Sequence, residues 1–279
     1  VRQFFLATIN SLDILCWLLV FLFFSSSALL TDGDILRATS GAAAIIVDMM
    51  IIAIAVEIII ECLKNSKGIG TLTGFITNGP EAVCLIVGLL VGDIIFAAST
   101  PLGSNFMNPL LLFIAAVISG HTARTFQTKT LYTVITISIA AGLAGSFFLM
   151  PPTRYLLWLV LAVSLTLPLF ILRPTESPME NEEHTLQPAV WLLPAIVVLT
   201  IGGYFLDPVV SYAARYSNAP KGLIGFLVLA FLTSWPEFKS CISLLKRKKY
   251  LAAVLNITIS NLTNIWLAAI GICSYLLWA

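Results

Sequence analysis

Apolar runs of about 20 residues, long enough to cross a bilayer core as helices, recur nine times along the chain. They cover roughly 4–30, 40–63, 68–92, 94–118, 130–149, 154–172, 189–213, 222–245 and 250–278. The interruptions are short and polar, apart from RPTESPMENEEHTLQP between Arg173 and Pro188. That segment carries Glu176, Glu180, Glu182 and Glu183 with Pro174 and Pro178 inside it, and it reads as a solvated linker. The first run is followed by Ser25, Ser26, Ser27 and Ala28, but it is longer than the apolar region of a signal peptide and predicts a helix. The chain opens on Val1, so residues before it are expected.

Composition turns the pattern into a class. Hydrophobic residues make up 59% and charged residues 10%, against about 25% charged in ordinary soluble domains. The expectation is an all-α polytopic membrane protein. A net charge of +1 leaves no basic face for nucleic acid. Cys16, Cys62, Cys84, Cys241 and Cys273 are odd in number, lie in or beside apolar runs, and read as reduced packing residues. Of the fifteen Lys and Arg, eleven fall on one set of alternate connections, including Lys64, Lys67, Arg124, Lys129, Arg173, Lys239 and Lys246 to Lys249. The other set holds Arg37, Arg154, Arg215 and Lys221. Positive loops stay inside, so the N-terminus and the 173–188 linker are expected in the cytoplasm and the C-terminus outside. The Lys246 to Lys249 cluster reads as a topology anchor in contact with anionic lipid.

A shift of 156 residues superposes TNGPE at Thr77–Glu81 on TSWPE at Thr233–Glu237, and GSNFMN at Gly103–Asn108 on ISNLTN at Ile259–Asn264. Thr77/Thr233, Pro80/Pro236, Glu81/Glu237, Ser104/Ser260, Asn105/Asn261 and Asn108/Asn264 recur at matching offsets. Five predicted spans separate the start of one copy from the start of the other, so the copies are expected in inverted topology, meeting near the bilayer midplane. The domain reading is an extra helix over 1–39, a first repeat unit over 40–172, the linker over 173–188 and a shortened second unit over 189–279. About nine helices form the bundle, with proline-broken helices at the midplane.

A carboxylate in mid-membrane costs about 2.5–3.5 kcal/mol and needs a partner or a task. Glu81 and Glu237 each follow a proline, which removes a helical N–H and frees a carbonyl near Thr77 and Thr233. Ser104 and Asn108 share a helix face, as do Ser260 and Asn264. Together they offer carboxylate, amide, hydroxyl and carbonyl oxygens, the hard ligands of Ca²⁺ and also of Na⁺. Asn105 and Asn261 read as interhelical packing residues. Asp48 and Glu57, on the 40–63 helix, read as sharing nearly one face and either lining an ion access path or simply facing a polar interior. Asp93 reads as a solvated cap. His121 and His184 fall in loops, which argues against zinc or copper.

The two P-E motifs, each followed 23 residues later by S-N-x-x-N, resemble the two alpha repeats of the Ca²⁺/cation antiporter superfamily, especially sodium/calcium exchangers. The similarity covers some 40% of the chain. It implies that Glu81 and Glu237 bind a divalent cation, with Thr77, Asn78, Ser104, Thr233, Ser234 and Ser260 beside them and Asn108 and Asn264 at the last motif position. Asn78 and Asn264 stand where the family often has Ser and Asp, which leaves two formal negative charges. The resemblance implies two long sliding helices at 40–63 and 189–213.

The expected function is a secondary antiporter moving Ca²⁺ in exchange for Na⁺ by alternating access. Proton coupling is the runner-up, and a non-transporting ion sensor is the alternative of another class. An intramembrane enzyme is disfavoured, since the spans lack a nucleophile constellation. No cofactor is expected; the partners are membrane lipid and inorganic cations, with a homodimer as a candidate assembly.

Overall fold

The computed structural model describes residues 9, 11–91, 94–176, 185–219 and 230–278. Among them the regular elements are all helical. In chain order they are α1 (Ser11–Leu30), α2 (Ile35–Leu63), α3 (Ile69–Ile76), α4 (Gly79–Val91), α5 (Ile94–Ile118), α6 (Thr122–Gln127), α7 (Thr130–Leu149), α8 (Tyr155–Ile171), α9 (Pro188–Ser217), α10 (Ala230–Thr233), α11 (Trp235–Lys246) and α12 (Tyr250–Trp278). Eight stretches among the described residues are long and apolar enough to span a membrane, with α3 and α4 counted as one. This is an integral, multi-pass helical membrane protein. The eighth predicted span, 222–245, is described only from residue 230 onward, and there it divides into α10 and α11. Residues 4–8 and 10 of the first run, Asp93, and residues 177–184 of the linker, with Glu180, Glu182, Glu183 and His184, lie outside the described residues.

The chain forms two compact units that interleave its halves: Val1–Cys62 with Glu183–Pro236, and Leu63–Glu182 with Glu237–Ala279. The first unit holds two long apolar helices, α2 and α9, beside α1 and α10. α2 begins at Ile35 rather than residue 40, and α9 runs on to Ser217 rather than 213. At Gly41 an added Cβ would stand 2.8 Å from the Ala213 Cβ, and at Gly202 one would stand 3.2 Å from Asp48 Oδ1. The contact number falls on α9 as it rises on α2, so the two helices run antiparallel in close apposition. Thr31 Oγ1 donates to the Ser217 carbonyl and Asp34 N to the Tyr216 carbonyl, tying the α1–α2 turn to the end of α9. Trp235 Nε1 donates to the Met49 carbonyl. Asp48 and Glu57 are not on one face: nine residues advance an α-helix by about 2.5 turns, which sets them on opposite sides of α2.

The second unit is built around α12. Its stretch from Ala252 to Ile265 is almost wholly buried, although it carries Asn256, Thr258, Ser260, Asn261 and Asn264. A helix with polar side chains around its girth is stable in a membrane only when other helices surround it and accept those groups. Towards one end it packs with α5, α7 and α8 through Leu102, Leu143, Phe147, Trp158, Ile265 and Ile272. Phe147 stacks on Tyr155 at 5.4 Å, and Trp158 Nε1 donates to the Leu143 carbonyl at 2.9 Å. The outer faces of α7 and α8 expose Leu131, Leu149, Leu156 and Leu157, the apolar surface that lipid covers. None of the five cysteines forms a disulfide.

Several charged residues depart from their expected settings: Lys64 and Lys249, read as cations of solvated or lipid-facing connections, are buried, and Lys249 Nζ donates to the Lys64 carbonyl. Lys239, read as a loop cation, lies inside α11 and is almost fully buried, because that end of the apolar run is helix rather than connection. Glu176, read as part of a solvated linker, is only 9% exposed and accepts hydrogen bonds from backbone N–H groups of α3. The unsatisfied donors at a helix start draw in a carboxylate that composition alone assigns to water.

Candidate functional site

The third apolar run breaks at Thr77 and Asn78, between α3 and α4, and the eighth breaks at Ser234, between α10 and α11. Asn78 and Ser234 are 156 residues apart, so the repeat seen in the letters is also a repeat of backbone form. The prolines do not interrupt helices midway. Pro80 and Pro236 sit in the first turns of α4 and α11, where a missing N–H costs nothing. Glu81 and Glu237 follow in the same first turns. A helix start presents unpaired N–H groups and a partial positive charge, which favours a carboxylate there.

Within the second unit Thr77, Asn78, Asn108, Glu237 and Ser260 stand together, Glu81 lies within the field of Glu237, Asn264 is bonded to Asn105 on the facing helix and Ser104 is buried on α5, each at most 5% exposed. Glu81 and Glu237 are near enough for the charge of one to act on the other. Ser260 is the hub. Its Oγ lies 3.2 Å from Glu237 Oε1 and 3.4 Å from Asn78 Oδ1, either of which its proton can serve, and it accepts from Asn108 Nδ2 at 3.1 Å. One hydroxyl thus joins residues of both copies. Thr77 faces Glu237 and donates to the Thr73 carbonyl at 3.0 Å. Asn78 Nδ2 donates to the Gly74 carbonyl at 2.6 Å, which fixes the side chain at the break.

α5 and α12 are joined by a pair of bonds that the repeat exchanges. Asn108 Nδ2 donates to Asn261 Oδ1 at 2.9 Å, and Asn264 Nδ2 donates to Asn105 Oδ1 at 3.3 Å. Adding 156 to the first pair's α5 residue and subtracting it from the α12 residue gives the second. Asn105 pairs with Asn264 and Asn108 with Ser260, so the two helices are antiparallel at this level. Pro109, inside α5, cannot donate to the carbonyl one turn back. That carbonyl belongs to Asn105, and it accepts from Asn261 Nδ2 instead, at 3.4 Å. Asn105 and Asn261 are the interhelical pair expected of them.

α3 runs along α12 in the opposite sense to α5. At Gly70 an added Cβ would strike the backbone of Ala252, and at Gly74 it would stand 2.7 Å from the Asn256 carbonyl oxygen. Asn78 meets Ser260 one step further. The offset is the same at all three, so the helices are parallel and in register. Gly70 and Gly74 were passed over in the sequence, although small residues four apart are a known signal for close helix approach in membranes. Asn256, which the sequence did not single out for the site, donates Nδ2 to the Glu237 carbonyl at 3.4 Å and to Cys241 Sγ at 3.5 Å.

Four buried side-chain oxygens of the cluster, Glu81 Oε2, Glu237 Oε2, Asn108 Oδ1 and Asn264 Oδ1, have no hydrogen-bond partner among the described residues. Each such acceptor costs about 1–3 kcal/mol if nothing satisfies it. Oxygens with negative or partial negative charge, gathered in a low-dielectric setting, answer to a desolvated cation. Thr233 and Ser234 belong to the other unit. Thr233 closes α10 and only its backbone is described; Ser234 stands at the break, fully buried, with Oγ unpartnered.

Residues 188–279 match the family model described as sodium/calcium exchanger protein, a stretch that contains the second motif copy from Thr233 to Asn264. No curated protein and no solved structure matches the chain.

Proposed function

We propose that this chain, which matches the sodium/calcium exchanger family model over residues 188–279, is a secondary antiporter that moves Ca²⁺ against Na⁺ by alternating access. A transporter of the cation-exchanger type, rather than an enzyme, fits the family match over residues 188–279. The finer reading is supported by one observation above the rest. Two carboxylates from the two motif copies stand in the first turns of broken helices, within each other's field, among buried oxygens without partners.

In this reading Glu81 and Glu237 carry the charge balance. Two carboxylates neutralise one Ca²⁺ or two Na⁺, so the same pair can alternate between the ions without leaving net charge in the membrane interior. Asn108 Oδ1 and Asn264 Oδ1 supply neutral oxygens, with Thr77, Asn78, Ser104 and Ser260 completing the set. Exchange of Ser260's proton donation from Glu237 Oε1 to Asn78 Oδ1 would release a second carboxylate oxygen to the ion. The inward N-terminus and cytoplasmic linker belong to the same proposal, resting on the Lys and Arg distribution.

The test is ⁴⁵Ca²⁺ uptake into proteoliposomes under an outward Na⁺ gradient, an outward H⁺ gradient or none, with Glu81→Gln and Glu237→Gln beside the wild type. Uptake driven by Na⁺ and lost in both variants is expected. Uptake driven only by H⁺ replaces the counter-ion, and no gradient-driven uptake by folded wild-type protein overturns the antiporter.

A further inference from the structure

α3 is eight residues long and opens after Gly68, whose φ of 80° and lack of a side chain leave the first N–H groups without a local cap. The cap comes from more than a hundred residues away. Both carboxylate oxygens of Glu176 lie 3.1 Å from Gly70 N, and Oε1 lies 3.3 Å from Thr71 N. Arg173 and Lys249 add positive charge around the same carboxylate, and Lys249 Nζ donates to the Lys64 carbonyl at 2.7 Å. Burial nevertheless holds the Glu176 carboxyl above the usual carboxylate range. Beside it lies a cavity of about 440 Å³ lined by Lys67, Thr71, Arg173 and Thr175 among others, open enough for solvent to reach the cap.

The other end of the same helix is the ion site. Gly70 and Asn78 are eight residues apart, about 12 Å along a helix axis. Between them α3 has no slack against α12: Gly70 meets the Ala252 backbone, Gly74 meets Asn256, and Asn78 meets Ser260. Internal bonds from Thr73 Oγ1 to the Ile69 carbonyl, Thr77 Oγ1 to the Thr73 carbonyl and Asn78 Nδ2 to the Gly74 carbonyl hold it as one rod. Anything that frays the first turn or lets the rod slide along α12 moves Asn78 relative to Ser260.

We propose that Glu176 is a positioning residue for the cation site: by capping α3 it fixes the register of α3 on α12 and so sets where Asn78 and Thr77 stand beside Glu237. The proposal rests on the antiporter reading for its effect on ion affinity, and on geometry alone for its effect on the helix. It assigns the linker a mechanical link to the site without any contact between linker and ion.

The experiment pairs hydrogen exchange with ion uptake, using the whole chain and the variants Glu176→Ala, Glu176→Gln and, as a neighbouring control, Thr175→Ala. Glu176→Ala is expected to raise amide exchange across 68–82, through the break, and to raise half-saturating Ca²⁺ by roughly fivefold or more, in the range of ordinary coupling between sites. Maximal rate is expected to change far less. Glu176→Gln keeps one acceptor oxygen for Gly70 and Thr71 and is expected to restore both readouts. Should Glu176→Ala fail to fold, Glu176→Asp carries the test, since one methylene less withdraws the cap while leaving the charge. Exchange that rises only over 68–72, with 77–82 at wild-type protection, overturns the positioning role. So does equal behaviour of Glu176→Ala and Thr175→Ala. A wild type without cation-dependent uptake refutes the antiporter instead, and the exchange data over 77–82 still decide whether Glu176 governs the site.

Discussion

The closeness of α3 to α12 sets a sharp expectation for Gly74→Ala. A Cβ at Gly74 would stand 2.7 Å from the Asn256 carbonyl oxygen, 3.0 Å from the Ile259 Cβ and 3.2 Å from Ser260 N. Ordinary contact begins at 3.4 Å, so α3 must retreat by 0.7 Å from a backbone atom that has no rotamer to yield. Overpacking of this kind costs about 1–3 kcal/mol. The retreat also stretches the Ser260 Oγ to Asn78 Oδ1 distance, already 3.4 Å, beyond hydrogen-bonding range. Gly142, on α7, has nothing within 4 Å of its would-be Cβ. There Ala should stabilise the helix by about 0.5–1 kcal/mol. The assay is thermal unfolding in detergent, with and without Ca²⁺, for Gly74→Ala and Gly142→Ala. Gly74→Ala should lower the melting temperature and shrink the Ca²⁺-dependent rise, while Gly142→Ala raises the first and keeps the second. Equal, benign behaviour of the two variants would refute the argument that α3 and α12 are in backbone contact at the site.

Asn108 donates to both Ser260 and Asn261, whereas Asn264 donates to Asn105 alone, so Asn108→Ala should lower stability more than Asn264→Ala, by about 1 kcal/mol per extra bond lost; denaturation of the two variants side by side checks the order. Trp158→Phe removes the donor to the Leu143 carbonyl and part of the ring packed on Phe147, for an expected loss of about 1–3 kcal/mol, read as a lower melting temperature. The Glu176 carboxyl is held above its ordinary value by burial, so the folded chain keeps a proton that the unfolded chain has released. Its contribution to stability is full below the unfolded value and is lost as pH rises through the folded one. Melting temperature measured across the acidic range should therefore fall less steeply with pH in Glu176→Gln than in the wild type.

Much of this protein is written locally. A span needs only some twenty apolar residues in a row, and a Pro-Glu pair suits the first turn of a helix, so the spans and the positions of Glu81 and Glu237 can be read from the letters, while Pro101 and Pro109 inside unbroken α5 show that proline alone does not mark a break. The 156-residue repeat is equally legible, because Thr, Pro, Glu, Ser and Asn rarely coincide by chance in an apolar background. Other features depend on which segments pack together. Nothing in α12's own composition shows that α12 lies at the centre of its unit; its asparagines gain meaning once α5 and α3 pack against it. The exchange of bonds between Asn108 and Asn261 and between Asn264 and Asn105 joins residues more than 150 positions apart. Glu176 and Lys239 look solvated from composition, yet the first turn of α3 captures one and α11 buries the other. Hydropathy and proline act through the nearest neighbours in the chain, whereas close helix approach and buried hydrogen bonds are decided by groups that meet only after the chain has folded.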